Sequence, residues 1–155
     1  VDIGAFDTSG FVNSPVDDQV SMQSFGLEIN VRYDQTRIAQ CSGSSFGFNQ
    51  ALACDCIPYD YSSNDEIVVM TILAQDVLSD QTTDVTENFE SEYYGSPSML
   101  DFRELFLGYE GNREKLQFDL ISDTNIPLNA IFIVNVELES GLVLSSTTRQ
   151  ISFVD

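Results

Sequence analysis

The stretch Phe25-Gly-Leu27-Glu-Ile29-Asn-Val31-Arg-Tyr33-Asp34 constrains this chain more than any other. Phe25, Leu27, Ile29, Val31 and Tyr33 alternate with Gly26, Glu28, Asn30, Arg32 and Asp34. Successive side chains of a strand point to opposite faces. A two-residue rhythm therefore predicts a β-strand with one apolar face and one wet face. The rhythm returns where Phe132, Val134, Val136 and Leu138 interleave with Ile133, Asn135, Glu137 and Glu139, and again in Leu116-Gln-Phe118-Asp-Leu120. Such a strand cannot bury its apolar face alone; a second sheet has to cover it. With 43 % hydrophobic residues, the chain has enough apolar surface to build that core.

The other segments fit the same plan. Glu66 to Ala74 is apolar on both faces and rich in β-branched residues, which predicts a central strand buried on both sides. Val68, Val69, Thr71 and Ile72 lower the helix propensity there. Asn125-Ile-Pro127 predicts a turn, and Ser140-Gly141 a tight hairpin turn. Leu142 to Leu144 and Thr147 to Phe153 form the closing strand or strands. Helix enters only in small pieces. Thr83 or Thr86 is placed to start a short helical turn. Ser96-Pro97-Ser98, followed by apolar Met99, Phe102, Leu105 and Phe106, predicts one short helix ending before Gly108 or Gly111. The expected fold class is all-β: an Ig-like antiparallel β-sandwich with one short helix. Residues 1–24, with Gly4, Gly10, Pro15 and little periodicity, are expected to be a loose N-terminal lead-in or an edge strand. Residues 25–155 are expected to form a single sandwich domain.

Composition narrows the chemistry. The 155 residues carry 25 Asp plus Glu against 6 Lys plus Arg, a formal charge of −19, and no histidine. Without histidine there is no Ser-His-Asp or Cys-His centre and no His-ligated metal. So few cations argue against a nucleic-acid partner, whose phosphates need Lys and Arg. Paired carboxylates of the kind a glycosidase uses are abundant, but 25 acids place some pair at that spacing by chance. No catalytic residue is assigned, and the chain is read as non-enzymatic.

Cys41, Cys54 and Cys56 lack the Cys-x-x-Cys spacing of redox and zinc motifs. They are expected to pair Cys41 with Cys54, or alternatively with Cys56, closing a Ser/Gly/Phe-rich loop. A loop of about 15 residues gains ~3 kcal/mol in the chain-entropy model. That pairing implies an oxidising compartment, and three free thiols are the alternative. No cofactor is expected, with Ca²⁺ the one candidate. Asp80 and Asp84, in Ser79-Asp80-Gln-Thr-Thr-Asp84, bunch hard oxygen ligands of the kind calcium takes, without matching an EF-hand loop; turn and cap roles are the competing reading. Tyr59, Tyr61, Tyr93 and Tyr94 sit in polar segments and are candidate contacts for a protein or sugar, set against simple packing over the ends of the sandwich.

The block Ile126-Pro127-Leu-Asn-Ala-Ile-Phe132-Ile-Val134-Asn-Val136-Glu-Leu138-Glu-Ser-Gly141, with Thr147-Thr148-Arg-Gln-Ile151, resembles the C-terminal hairpin of a family of uncharacterised Bacteroidetes lipoproteins (a domain-of-unknown-function family, DUF5034-like). Asn49 to Cys54, Asp65 to Leu73 and Asp84 to Phe89 resemble its middle. The resemblance implies an extracytoplasmic protein of the periplasm or cell surface, held to the membrane only by a lipid on a cysteine preceding Val1. The expected function is then a non-enzymatic module of a cell-envelope lipoprotein, structural or engaged in protein or ligand interaction. The alternatives are a carbohydrate-binding component of a surface glycan-uptake system and a calcium-dependent adhesion domain. A hydrolase using a carboxylate pair is a further rival.

Overall fold

The alternating segments are extended, and their apolar faces meet. The computed structural model describes residues 1–9, 14–16, 19–32, 65, 67–99 and 113–154. Its strands are β1 (Asp2–Asp7), β2 (Ser14–Pro15), β3 (Gln19–Ser21), β4 (Phe25–Arg32), β5 (Ile67–Asp76), β6 (Thr82–Asp84), β7 (Phe89–Glu90), β8 (Arg113–Leu120), β9 (Asn129–Leu138), β10 (Val143–Thr147) and β11 (Ile151–Val154). One sheet runs β2-β1-β4-β8-β7; the other runs β3-β11-β9-β5-β6, with β10 also paired to β9. Among the described residues these pairings are antiparallel apart from β3 with β11. The chain is an all-β sandwich of two layers.

The predicted faces are the buried ones. Leu27 and Ile29 of β4 and Leu116 and Phe118 of β8 close over Ile72 and Ala74 of β5 and Phe132 and Val134 of β9. Phe25 and Phe89 from the first sheet mesh with Phe132 and Phe153 from the second. Ring centroids lie 5.0 Å apart for Phe25–Phe132, and the Phe25–Phe153 and Phe89–Phe132 pairs are edge-on at 89° and 90°. Edge-to-face contact sets the positive rim of one ring against the negative face of another, adding to the burial term. Ser140 and Gly141 make the predicted turn between β9 and β10, with Gly141 at φ +83°, and Asp65 pins it by accepting from the Ser140 amide and hydroxyl at 2.9 and 2.7 Å.

Two expectations meet a different arrangement, and a third falls mostly outside the described residues. β5 is central, between β9 and β6, but it is not buried on both sides: Met70, Ile72 and Ala74 are buried, Thr71 and Leu73 are half-exposed, and Val68 is 60 % exposed. A two-layer sandwich covers only one face of each sheet. A bulge between Ile67 and Val69 also breaks the alternation against β9 at that end. Residues 1–24 give strands to both sheets: β1 pairs with β4 from Asp2 to Asp7, and β3 joins the edge beside β11. β2 covers the outer side of β1 only at Phe6 and Asp7. Of the predicted short helix, Pro97–Met99 is a 3-10 turn, and residues 100–112 lie outside the described residues. So do Cys41, Cys54, Cys56, Tyr59 and Tyr61.

Phe6 marks a feature the alternation alone does not show. It faces away from the sandwich interior, opposite Gly26 in the β1–β4 register, and yet is buried. A side chain at Gly26 would run into the Phe6 ring and meet the Phe118 carbonyl oxygen at 2.9 Å. Glycine fits here because the Phe6 ring and the Phe118 carbonyl occupy the space a Cβ would need.

Candidate functional site

The chain crosses from one sheet to the other along one flank of the sandwich. β6 ends at Asp84, whose Oδ1 accepts from the Thr86 amide at 2.9 Å and the Thr86 hydroxyl at 2.6 Å. The Thr86 Oγ1 in turn accepts from the Ile72 amide at 2.9 Å. A side-chain oxygen thus satisfies a buried strand N–H at the point where the neighbouring strand has left. The 3-10 turn Thr86–Asn88 follows, anchored where Asn88 donates its side-chain amide to the Thr124 carbonyl at 2.7 Å. β7 then enters the first sheet beside β8, with Phe89 pointing in and Glu90 pointing out.

Directly after β7 the chain doubles back. Ser91 and Gly95 exchange two backbone hydrogen bonds, each 2.9 Å, and close a hairpin over Glu92, Tyr93 and Tyr94. Gly95, at φ +73°, occupies the left-handed region that the closure demands. Tyr93 is 84 % exposed and Tyr94 37 %, with centroids 6.3 Å apart and planes inclined at 56°. Ser96 then donates to Glu87 Oε2 at 3.2 Å, tying the hairpin's exit to the 3-10 turn. Beside it lies a shallow depression of about 240 Å³, lined among others by Thr71, Asp84, Thr86, Glu87 and Ser98. That is smaller than the pockets that enclose small molecules, roughly 300–1,000 Å³.

Glu90 and Glu92 belong to the approach and the loop of the hairpin. Glu90 stands opposite Asp119 in the β7–β8 register. Burial, and then the charge of Glu92, push the Asp119 carboxyl above its ordinary value. The opposite situation holds further along the same sheet face. Burial works to raise the Glu28 carboxyl there, but hydrogen bonds from Lys115, Asn30 and Gln117, and the Lys115 charge, outweigh it and hold the group low. Lys115 Nζ lies 2.7 Å from Glu28 Oε2.

The two candidate calcium ligands are turned to different partners. Asp80 sits in the β5–β6 turn at φ +58° and accepts from the Gln75 side chain, whereas Asp84 is bound to Thr86. Among the described residues no three Asp, Glu, Cys or His side chains gather into a metal-ligand group. Of the four tyrosines, Tyr93 and Tyr94 come together. The sequence reading missed the Thr86 bridge to Ile72 and the Glu87–Ser96 tie. Asp84-Val-Thr86 did hold a signal, since an Asp two residues before a free amide is the spacing of a side-chain turn. Thr86 starts the 3-10 turn, as one of the two alternatives had it; the cap position is Val85, without a side-chain cap, and Asp84 accepts from the Thr86 amide. Compared with family models, with curated proteins and with solved structures, the chain matches none of them.

Proposed function

We propose that this domain is a non-enzymatic recognition module of a cell-envelope lipoprotein, and that it meets its ligand, a protein or a glycan, through the Tyr93–Tyr94 hairpin. One observation carries the reading: a large aromatic ring, 84 % exposed, is held on a hairpin closed by reciprocal hydrogen bonds at the flank of a packed sandwich. A ring that is already positioned loses little conformational freedom on binding, which is why aromatic residues anchor interfaces. The lipoprotein part of the reading rests on the family resemblance and on the expected Cys41–Cys54 or Cys41–Cys56 pairing.

The test is a panel of defined polysaccharides and peptides titrated against the wild-type domain and Tyr93→Ala. Binders that are lost in the variant, at unchanged melting temperature, support the module. If every binder holds the variant equally well, the hairpin is not the recognition surface. Turnover of chromogenic glycosides or esters by the wild type would refute the non-enzymatic reading. Alkylation of all three thiols without reductant would remove the disulfide and weaken the envelope assignment.

A further inference from the structure

We infer that β10 is the edge through which two copies of this chain pair, strand against strand, independently of the tyrosine hairpin. The Leu138 amide donates to the Leu142 carbonyl and the Thr148 amide to the Phe132 carbonyl, both at 2.9 Å, so the even-numbered residues of β10 turn their backbone groups toward β9. Val143, Ser145 and Thr147 turn theirs outward. All three are exposed, and no described residue takes up their N–H and C=O groups. Such a row is a template for a further strand. The other edges are blunted. β2, β3, β6 and β7 are only two or three residues long. Where β8 runs on past β7 it carries Arg113, Glu114 and Lys115, and where β1 runs on past β2 it carries Asp2. Where β5 runs on past β6, the 3-10 turns lie beside it. β10 spans five residues without a charge or a proline.

The edge is complementary to itself. Set antiparallel about a two-fold axis at Ser145, it opposes Ser145 to the partner's Ser145 and Val143 to the partner's Thr147. The outward N–H and C=O groups of the two copies then answer one another, as an isologous contact requires. The same register matches charge. Arg149, just past the end of β10, is exposed and has no carboxylate partner among the described residues. Antiparallel pairing lays it across Gly141 of the other copy, in the turn that Glu139 leads into. With 6 Lys and Arg against 25 acids in the chain, a cation at one end of an open edge and an acid at the other favour a second copy as the occupant. The net charge of −19 opposes association. At about 0.15 M salt, however, exposed charges more than about 8 Å apart are largely screened, and contacts inside the pairing are screened much less.

The experiment is sedimentation velocity on the whole chain, from low-micromolar to near-millimolar protein, with reductant present to exclude disulfide-linked pairs. Ser145→Lys sets like charges across the axis while making the chain less acidic, so bulk repulsion cannot explain a loss of pairing. Arg149→Glu removes the cation, and Glu139→Arg added to it swaps the charges. Glu90→Lys, on the edge strand β7 of the other sheet, is the control. Thermal melts verify that each variant folds. The expected result is a concentration-dependent dimer, weakened about tenfold by Ser145→Lys and by Arg149→Glu, recovered in the charge swap and not weakened by Glu90→Lys. A monomer at every concentration overturns the inference. So does a dimer that either edge variant leaves intact, or a swap without recovery. A labelled peptide of alternating Thr and Val is titrated alongside. If the chain stays monomeric and binds this peptide in a way that Ser145→Lys abolishes, the edge recruits a foreign strand and the second copy is overturned as its occupant.

Discussion

Phe89 and Tyr93 are four residues apart and end in opposite environments. Phe89 is fully buried, edge-on to Phe132 across the sandwich; Tyr93 is the most exposed aromatic among the described residues. Both sites hold aromatic neighbours at similar centroid distances, 5.8 Å for Phe89–Phe132 and 6.3 Å for Tyr93–Tyr94. What separates them is the backbone between. β7 sends Phe89 inward and Glu90 outward, and the Ser91–Gly95 closure then carries the next rings off the sheet. Aromatic residues thus stabilise the molecule in one place and present a surface in the other, and contact geometry between rings does not distinguish the two. Solvent does.

Substitutions can break that contrast or sharpen it. The largest effect is expected at the buried end: Phe132→Ala should cost about 3–5 kcal/mol, because it empties the space where both sheets' rings meet. Urea denaturation measures it, and a loss under about 1 kcal/mol would mean that the four rings are not the joint between the sheets. Gly26→Ala comes next, at about 1–3 kcal/mol, since the new methyl collides with the Phe6 ring. Phe6→Ala in that background should recover part of the loss; failure to recover would place the strain elsewhere.

Thr86→Val keeps the shape and removes the oxygen, leaving the Ile72 amide unpaired at about 1–3 kcal/mol. Thr86→Ser should retain most of the stability, and melts of the two variants side by side test the bridge. Asp119→Asn should raise stability slightly at neutral pH. Its folded pKa lies above the ordinary value, so ionisation works against folding above that pKa, and the penalty disappears as pH falls through it. Glu28 has the reverse sign: its folded pKa is lowered, so its contribution is present above the ordinary carboxylate value and is lost as pH falls through the folded one. Stability measured against pH for wild type and Asp119→Asn checks the sign, and parallel curves would refute it. The smallest effect belongs to Tyr93→Ala, within about 0.5 kcal/mol, as for an exposed side chain with little packing to lose. A large drop in its melting temperature would show the hairpin to be a structural part of the sandwich.

Particular residues show how far the sequence could be read. Phe25 to Val31 and Phe132 to Val136 announced their faces because strand geometry turns period two directly into sidedness, and the structure buries the predicted side. Gly141 announced its turn because few other residues adopt its backbone conformation at low cost. Tyr93 and Tyr94 were legible only as aromatics in a polar segment. Val68 and Leu73 were misread, because an apolar residue on a strand does not report whether a third layer exists to cover it. Thr86 stood out only as a possible helix start; its bond to Ile72 joins residues 14 apart in the chain.

Alternation, charge and turn residues by themselves determined that the chain forms two facing antiparallel layers, because side-chain direction along a strand and backbone freedom at a turn are local properties. Which strands become neighbours, and so which charges oppose each other, was decided only by the tertiary structure. Glu90 lies 29 positions from Asp119 in the chain and reaches it only through the β7–β8 pairing. Such juxtapositions depend on register between distant segments, and register is settled when both sheets bury their apolar faces together.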